Sequence, residues 1–184
     1  HGQPPPPRGQ FAQMKPDSVL RTADGRAEVL LTPGAFLRVG ENSSIRMVSS
    51  RLSDTRLELL EGSILVECIE MRKDNAITLT HKEATISLYK KGLYRLDSEP
   101  ALVRVFEGEA EVESGGQRLI VKGGNQAALV GVLSAQKFKK SSDTLHTWSR
   151  RRGRLLADAN RSAAAALRDT GAECRQGDWR WDPT

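Results

Sequence analysis

Four glutamates stand at every second position of "VRVFEGEAEVESGG", residues 103–116: Glu107, Glu109, Glu111 and Glu113. Carboxylates at that spacing could form an acid/base pair, hold calcium, or line the wet face of a strand. A period of two puts Glu109, Glu111 and Glu113 on one face, opposite Ala110 and Val112. A catalytic pair needs unequal environments that drive its two pKa values apart, and one open face offers each member the same solvent. Calcium needs oxygen ligands converging from a loop, usually with Asp and Asn, and the sequence has no such loop here. The row reads as a solvated face, suited to meet a basic arm.

Other chemistry is sparse. The three histidines, His1, His81 and His146, stand in no metal-ligand spacing, and no cysteine/histidine cluster accompanies them. There is no Gly-x-Ser-x-Gly elbow, and "VKGGNQ" lacks the spacing of a phosphate-binding loop. No catalytic residue, cofactor or metal is therefore expected, and the chain reads as non-enzymatic. "WSRRRGR" places Arg150, Arg151 and Arg152 together and suits an anionic surface, although no nucleic-acid module surrounds it, so no nucleic-acid partner is expected. The two cysteines, Cys68 and Cys174, lie far apart; in an exported protein an even count favours a disulfide, within the chain or between chains.

The elements that must position these residues fall into three parts. Residues 1–18 include Pro4, Pro5, Pro6, Pro7 and Phe11 and read as an extended arm. Residues 19–136 read as a β domain: short β-branched and leucine-rich runs broken by Gly, Asn, Ser and Asp. Residues 137–184 hold a helix from Ser141 to about Thr170, capped by Ser142 or Asp143, with a possible break at Gly153 and a stop at Gly171. A tail with Trp179 and Trp181 follows. These last 48 residues carry 11 basic and 6 acidic groups, while the rest balances at 17 of each, so the net charge of +5 belongs to the C-terminal arm. No apolar run approaches the roughly 20 residues that span a bilayer, and no signal-peptide pattern follows His1, as expected of a processed chain.

The β domain contains a repeat counted from glycine. Leu57 and Leu59 stand five and three places before Gly62, and Ile64 and Val66 two and four places after it. Val103, Val105, Ala110 and Val112 hold the same places about Gly108. The frame extends to Gly34 (Val29, Leu31, Phe36) and Gly124 (Leu119, Val121, Ala128), and more loosely to Gly92 (Tyr89, Tyr94, Leu96). A change of face at each glycine implies strands that bend where Gly permits it, in a solenoid-like or rolled β body.

The segments "RAEVLLTPGAFLRVGENSSIRM", "LELLEGSILVEC", "ITLTHKEATISLYKKGLYRLD" and "ALVRVFEGEAEVESGGQRLIVKGGNQAAL" together resemble the FecR-like extracytoplasmic domain over roughly residues 27–130. The run through Val103, Val105, Glu107, Gly108, Ala110 and Val112 is most like the family's core. Gly92 is kept, but Leu93 and Tyr94 follow it where the family carries Gly-Thr-x-Phe. The resemblance implies an all-β module of the periplasm, cell surface or extracellular space, with no catalytic residues.

Terminal arms are mobile unless they dock. The expected function is accordingly an exported structural protein that self-assembles into an oligomer or filament of identical subunits. Its contacts would come from Pro4–Pro7, Phe11, Trp179, Trp181, Glu109, Glu111 and Arg150–Arg152. The competing expectation is a FecR-like binding or sensor module that engages an extracytoplasmic partner or ligand.

Overall fold

The computed structural model describes residues 13–72, 74–139 and 143–169. Alternating apolar and polar residues break at turn residues into short strands: β1 (Val19–Arg21), β2 (Ala27–Thr32), β3 (Ala35–Val39), β4 (Ser44–Arg51), β5 (Asp54–Glu61), β6 (Ser63–Cys68) and β7 (Ile77–His81). They continue as β8 (Ala84–Leu88), β9 (Gly92–Ser98), β10 (Ala101–Glu107), β11 (Glu109–Ser114), β12 (Gln117–Lys122), β13 (Asn125–Ala128) and β14 (Gln136–Lys137). Helix α1 (Thr144–Asp169) comes last. The chain divides into two compact units, 1–142 and 143–184.

The strands of the first unit form two seven-stranded sheets. The first runs β1-β4-β5-β7-β8-β11-β12 and the second β14-β13-β10-β9-β6-β3-β2. Their inner faces meet in one apolar core built from Leu37, Val39, Leu57, Leu59, Ile64, Val66, Ile86, Leu88, Tyr94, Leu96, Val103, Val105 and Val112, among others. Two sheets sharing a core in this way make a β-sandwich. A stack of solenoid coils would pair strands in parallel. Here every described pair is antiparallel except β5 with β7, so the solenoid expectation gives way to a sandwich.

The rolled part of the expectation has a specific form. At Gly62 the chain leaves β5 in the first sheet and continues without a loop as β6 in the second. At Gly108 it leaves β10 in the second sheet and continues as β11 in the first. Advancing by five strands therefore carries β6-β3-β2 onto β11-β8-β7, and the β4–β5 hairpin onto β9–β10, with the two sheets exchanged. The sequence repeat about Gly62 and Gly108 is the trace of this exchange. Its eight apolar positions are all buried.

Both corners need glycine. The φ angles are +87° and +89°, a region that costs an L residue steric strain. A Cβ at Gly62 would strike Ser43, 2.7 Å from its Cα, and one at Gly108 would lie 2.6 Å from the Lys91 carbonyl oxygen. The backbone after each corner is held in one way by different residues. Ser63 donates its N–H to Ser43 Oγ at 3.0 Å, and that hydroxyl donates to the Glu41 carbonyl at 2.9 Å. Glu109 donates to Tyr94 Oη at 3.3 Å, and the phenol donates to the Lys90 carbonyl at 2.7 Å. Burial pushes the Tyr94 phenol up to about 12.

The remaining glycines depart from the repeat. Gly34 closes the β2–β3 hairpin, so Phe36 pairs with Leu30 on the outer face and Ala35, Leu37 and Val39 face inward instead. After Gly124 the inward residue is Ala127, with Ala128 exposed. Gly92 opens β9; Tyr94 and Leu96 are buried after it, while Tyr89 before it is exposed. In the second unit, Asp143 caps α1 by accepting the His146 N–H on Oδ1 at 2.8 Å. The helix runs through Gly153 without a break.

Cys68 is a free thiol pointing into the core, 2% exposed, and burial pushes it up to about 12. Cys174, its expected disulfide partner, lies outside the described residues, as do Pro4–Pro7, Phe11, Gly171, Trp179 and Trp181. A bridge to Cys68 would have to enter a packed apolar interior.

Four outcomes follow. Gly108→Ala should lower unfolding free energy by about 2 kcal/mol more than Gly124→Ala, since both sit at positive φ but a Cβ at Gly124 meets nothing within 4 Å. Equal losses in urea denaturation would refute a steric role for the corner. Tyr94→Phe should cost about 1–2 kcal/mol through the unpaired corner groups. Both Cys68 and Tyr94 have folded pKa values above their ordinary 9.0 and 10.0, so their contribution is complete below pH 9 and is lost as pH rises toward 12. The double variant Cys68→Ala/Tyr94→Phe should flatten that alkaline decline. Finally, iodoacetamide at pH 8 should spare Cys68 in the native protein and label it in denaturant without reductant, as read by peptide mass mapping. A Cys68 that stays unlabelled in denaturant would instead be disulfide-bonded.

Candidate functional site

The glutamate row lies where a period of two requires. Glu109, Glu111 and Glu113 occupy the outer face of β11, opposite Ala110, Val112 and Ser114. None awaits a distant arm. Lys90 Nζ lies 3.2 Å from Glu109 Oε2, and Arg118 of β12 reaches Glu111 and Glu113, each at 3.4 Å. Register explains the pairing, because β12 runs antiparallel beside β11 with Arg118 opposite Glu113. Arg118 and Glu113 are 65% and 55% exposed, so these pairs are weak and open to exchange with an incoming charge. Arg150 and Arg151 are exposed on α1, and Arg152 is half-buried there.

A second charged surface was not singled out from the sequence. The outer face of the β9–β6–β3 region carries a cross-strand row in the order Gln126, Arg104, Arg95, Leu65, Arg38 and Glu28. Arg38 is fully enclosed. Its Nε lies 3.0 Å from Glu28 and its Nη1 2.6 Å from Glu67. Asp97, also buried, accepts from Arg95 Nε at 2.8 Å, Arg104 Nη1 at 2.6 Å and Ser63 Oγ at 2.5 Å. Asp97 thus gathers three donors, and Arg38 meets two carboxylates; breaking either set would strand a charge inside the protein. The available signal was charge at alternate positions of otherwise apolar strands. Strand order, which decides the partners, was not readable.

Taken together, the two outer faces present charges fixed in register on rigid strands. Each member of the Glu109–Glu113 row is paired with a cation on the outer face, Glu109 with Lys90 and Glu111 and Glu113 with Arg118. Among the described residues, no cluster of three or more His, Cys, Asp and Glu side chains could hold a metal ion, and no helix is long and apolar enough to cross a membrane. Surfaces of this kind suit recognition of a complementary charged partner.

No curated protein matches the chain. Two crystal structures of a proposed anti-sigma factor from Parabacteroides distasonis, at 2.50 and 1.65 Å resolution, share the fold with TM-scores of 0.55 at 13% and 12% identity. In both cases the likeness covers 65% of this chain and 59% of the solved one, so this chain spans less than two thirds of those proteins. The FecR protein family model matches residues 18–111, which run from the start of β1 into β11 and include both glycine corners. These findings overturn the expected structural protein that self-assembles into an oligomer or filament. Its proposed acidic contact is already paired within the body, its arm contacts at Pro4–Pro7, Phe11, Trp179 and Trp181 lie outside the described residues, and the family match favours the competing expectation of a FecR-like binding or sensor module. With the match spanning half of its length and both five-strand units, the chain belongs to the FecR family.

Proposed function

We propose that this chain is the binding part of an extracytoplasmic sensor or regulatory module, non-enzymatic, and that its sandwich engages a protein partner. The observation that carries the reading is the family match over β1 to β11, which is also the part of the sandwich organised by the two corners. The likeness to a proposed anti-sigma factor agrees with a regulatory role. The outer face of β11 and β12 is the surface best suited to a partner. Its Arg118, Glu113 and Lys90 are more than half exposed, and their ion pairs can be traded for charges on another protein at little cost. Residence outside the cytoplasm is part of the proposal and rests on the family.

The test is photo-crosslinking in the native host from a reactive residue placed at Ile120, exposed on the same face of β12 two places from Arg118, with the purified chain weighed by light scattering. The expected result is a monomer in solution and one discrete heteromeric adduct in cells. Arg118→Glu should weaken that adduct about tenfold, and more at low ionic strength. Adducts confined to copies of the same chain would overturn the reading. An inactive alkaline phosphatase fusion at the C-terminus would overturn residence outside the cytoplasm.

A further inference from the structure

The last strand of a sheet leaves one row of backbone groups without a partner, and among the described residues the sandwich has four such edges: β1, β12, β2 and β14. Three of them are blunted. β1 has three residues, β14 has two, and β2 carries a bulge between Leu30 and Thr32. β12 is different. Its six residues, Gln117–Lys122, pair one for one with β11 without a register shift, and none is proline or glycine. A long, regular edge of this kind is a template for a further strand.

The hairpin decides which groups are open. Gly115 and Gly116 form the two-residue turn between β11 and β12, both at positive φ, so Ser114 and Gln117 face each other as a hydrogen-bonded pair. Opposed residues of an antiparallel pair alternate between bonded and non-bonded. Leu119 and Val121 therefore bond to β11, while Arg118, Ile120 and Lys122 aim their backbone groups away from it. Asn125 Nδ2 already donates to the Lys122 carbonyl at 3.1 Å. Among the described residues, no backbone bond from a turn or loop reaches the other outward groups.

The side chains of the same three residues say what the strand would be. They stand exposed on one face in the order basic, apolar, basic. Two copies of this edge laid antiparallel about Ile120 would set Arg118 directly against Lys122, and like charges so placed repel. The pattern thus disfavours a second copy of the chain. It favours a segment with carboxylates opposite Arg118 and Lys122 and an apolar residue opposite Ile120. Such a segment would continue the alternation already built, with acidic β11 beside basic β12.

We infer that β12 takes up an extended acidic segment of a partner protein as a further strand of the first sheet, with the pattern carboxylate–x–apolar–x–carboxylate. The inference rests on the outer face of β11 and β12 being the partner surface, and adds that backbone pairing holds the partner there. The probe is the blocked heptapeptide Thr-Glu-Thr-Val-Thr-Glu-Thr, titrated into the full chain and followed by nitrogen-15 NMR. The Arg118, Ile120 and Lys122 amides should shift saturably, and their hydrogen exchange should slow. N-methylating the peptide's glutamates and valine, whose N–H groups face β12 in the paired register, should weaken binding about tenfold or more. N-methylating its threonines, which face away, should not. Replacing both glutamates by lysine should cost about tenfold, and less at high salt. Ile120→Pro removes one outward N–H and leaves the β11 ladder whole, so it should abolish binding with thermal unfolding unchanged. Should that variant fail to fold, the methylated peptides decide the matter. Equal binding of the two methylated peptides would mean charge attraction alone and would overturn strand addition. A parent peptide that gives no saturable shift would overturn it too; a heteromeric adduct from Ile120 in cells would then leave the partner surface standing. Peptide binding without that adduct would keep the edge and sink the partner surface.

Discussion

Two glycines govern this molecule. At Gly62 and at Gly108 a strand passes from one sheet of the sandwich to the other with no loop between, at φ near +87° and +89°. Close neighbours leave no room for a side chain at either point. Because the strand continues through the corner, residues before and after it face the same core. The inward positions must then shift phase by one at the glycine, as Leu59 and Ile64 or Val105 and Ala110 do. Strand order, core composition and the exchange of sheets between the two five-strand units all depend on those corners.

Hydroxyls do the supporting work. Ser43 and Tyr94 each take an N–H from the residue after the corner and pass their own proton to a nearby carbonyl. A small hydroxyl serves one corner and a large one the other, in keeping with what each must fill: Tyr94 also buries its ring in the core. The same backbone requirement is therefore met by residues with no sequence likeness. This kind of equivalence appears only once the strands are in place.

With the interior committed to apolar residues, the charged groups are left to the outer faces, and they fall into two regimes. Around Asp97 and Arg38 they are buried, multiply bonded and bound up with the integrity of the sheet. Along β11 and β12 they are more open, with Arg118 shared between Glu111 and Glu113, which leaves them available to a partner. His81 belongs to neither regime. It is a polar group placed in the core, with Nδ1 on the Leu59 carbonyl and Nε2 buried without a hydrogen-bond partner among the described residues.

The sequence by itself determined a great deal at the level of single strands. The period-two pattern gave the β class, the facing of Glu109, Glu111 and Glu113, and the apolar positions around Gly62 and Gly108, because facing is a local property of an extended backbone. The resemblance carried by those segments gave the family. The tertiary structure alone decided which strands are neighbours. It turned Gly34 into a hairpin rather than a corner, put Phe36 and Ala128 outward, gave Arg118 and Lys90 to the glutamate row, and assembled the Asp97 cluster from strands β6, β9 and β10. It also enclosed Cys68 and brought His81 beside residues 101, 114 and 129–131. Such pairings join residues far apart in the chain, and they are set by how the sheets close on their core, a property that no local spacing records.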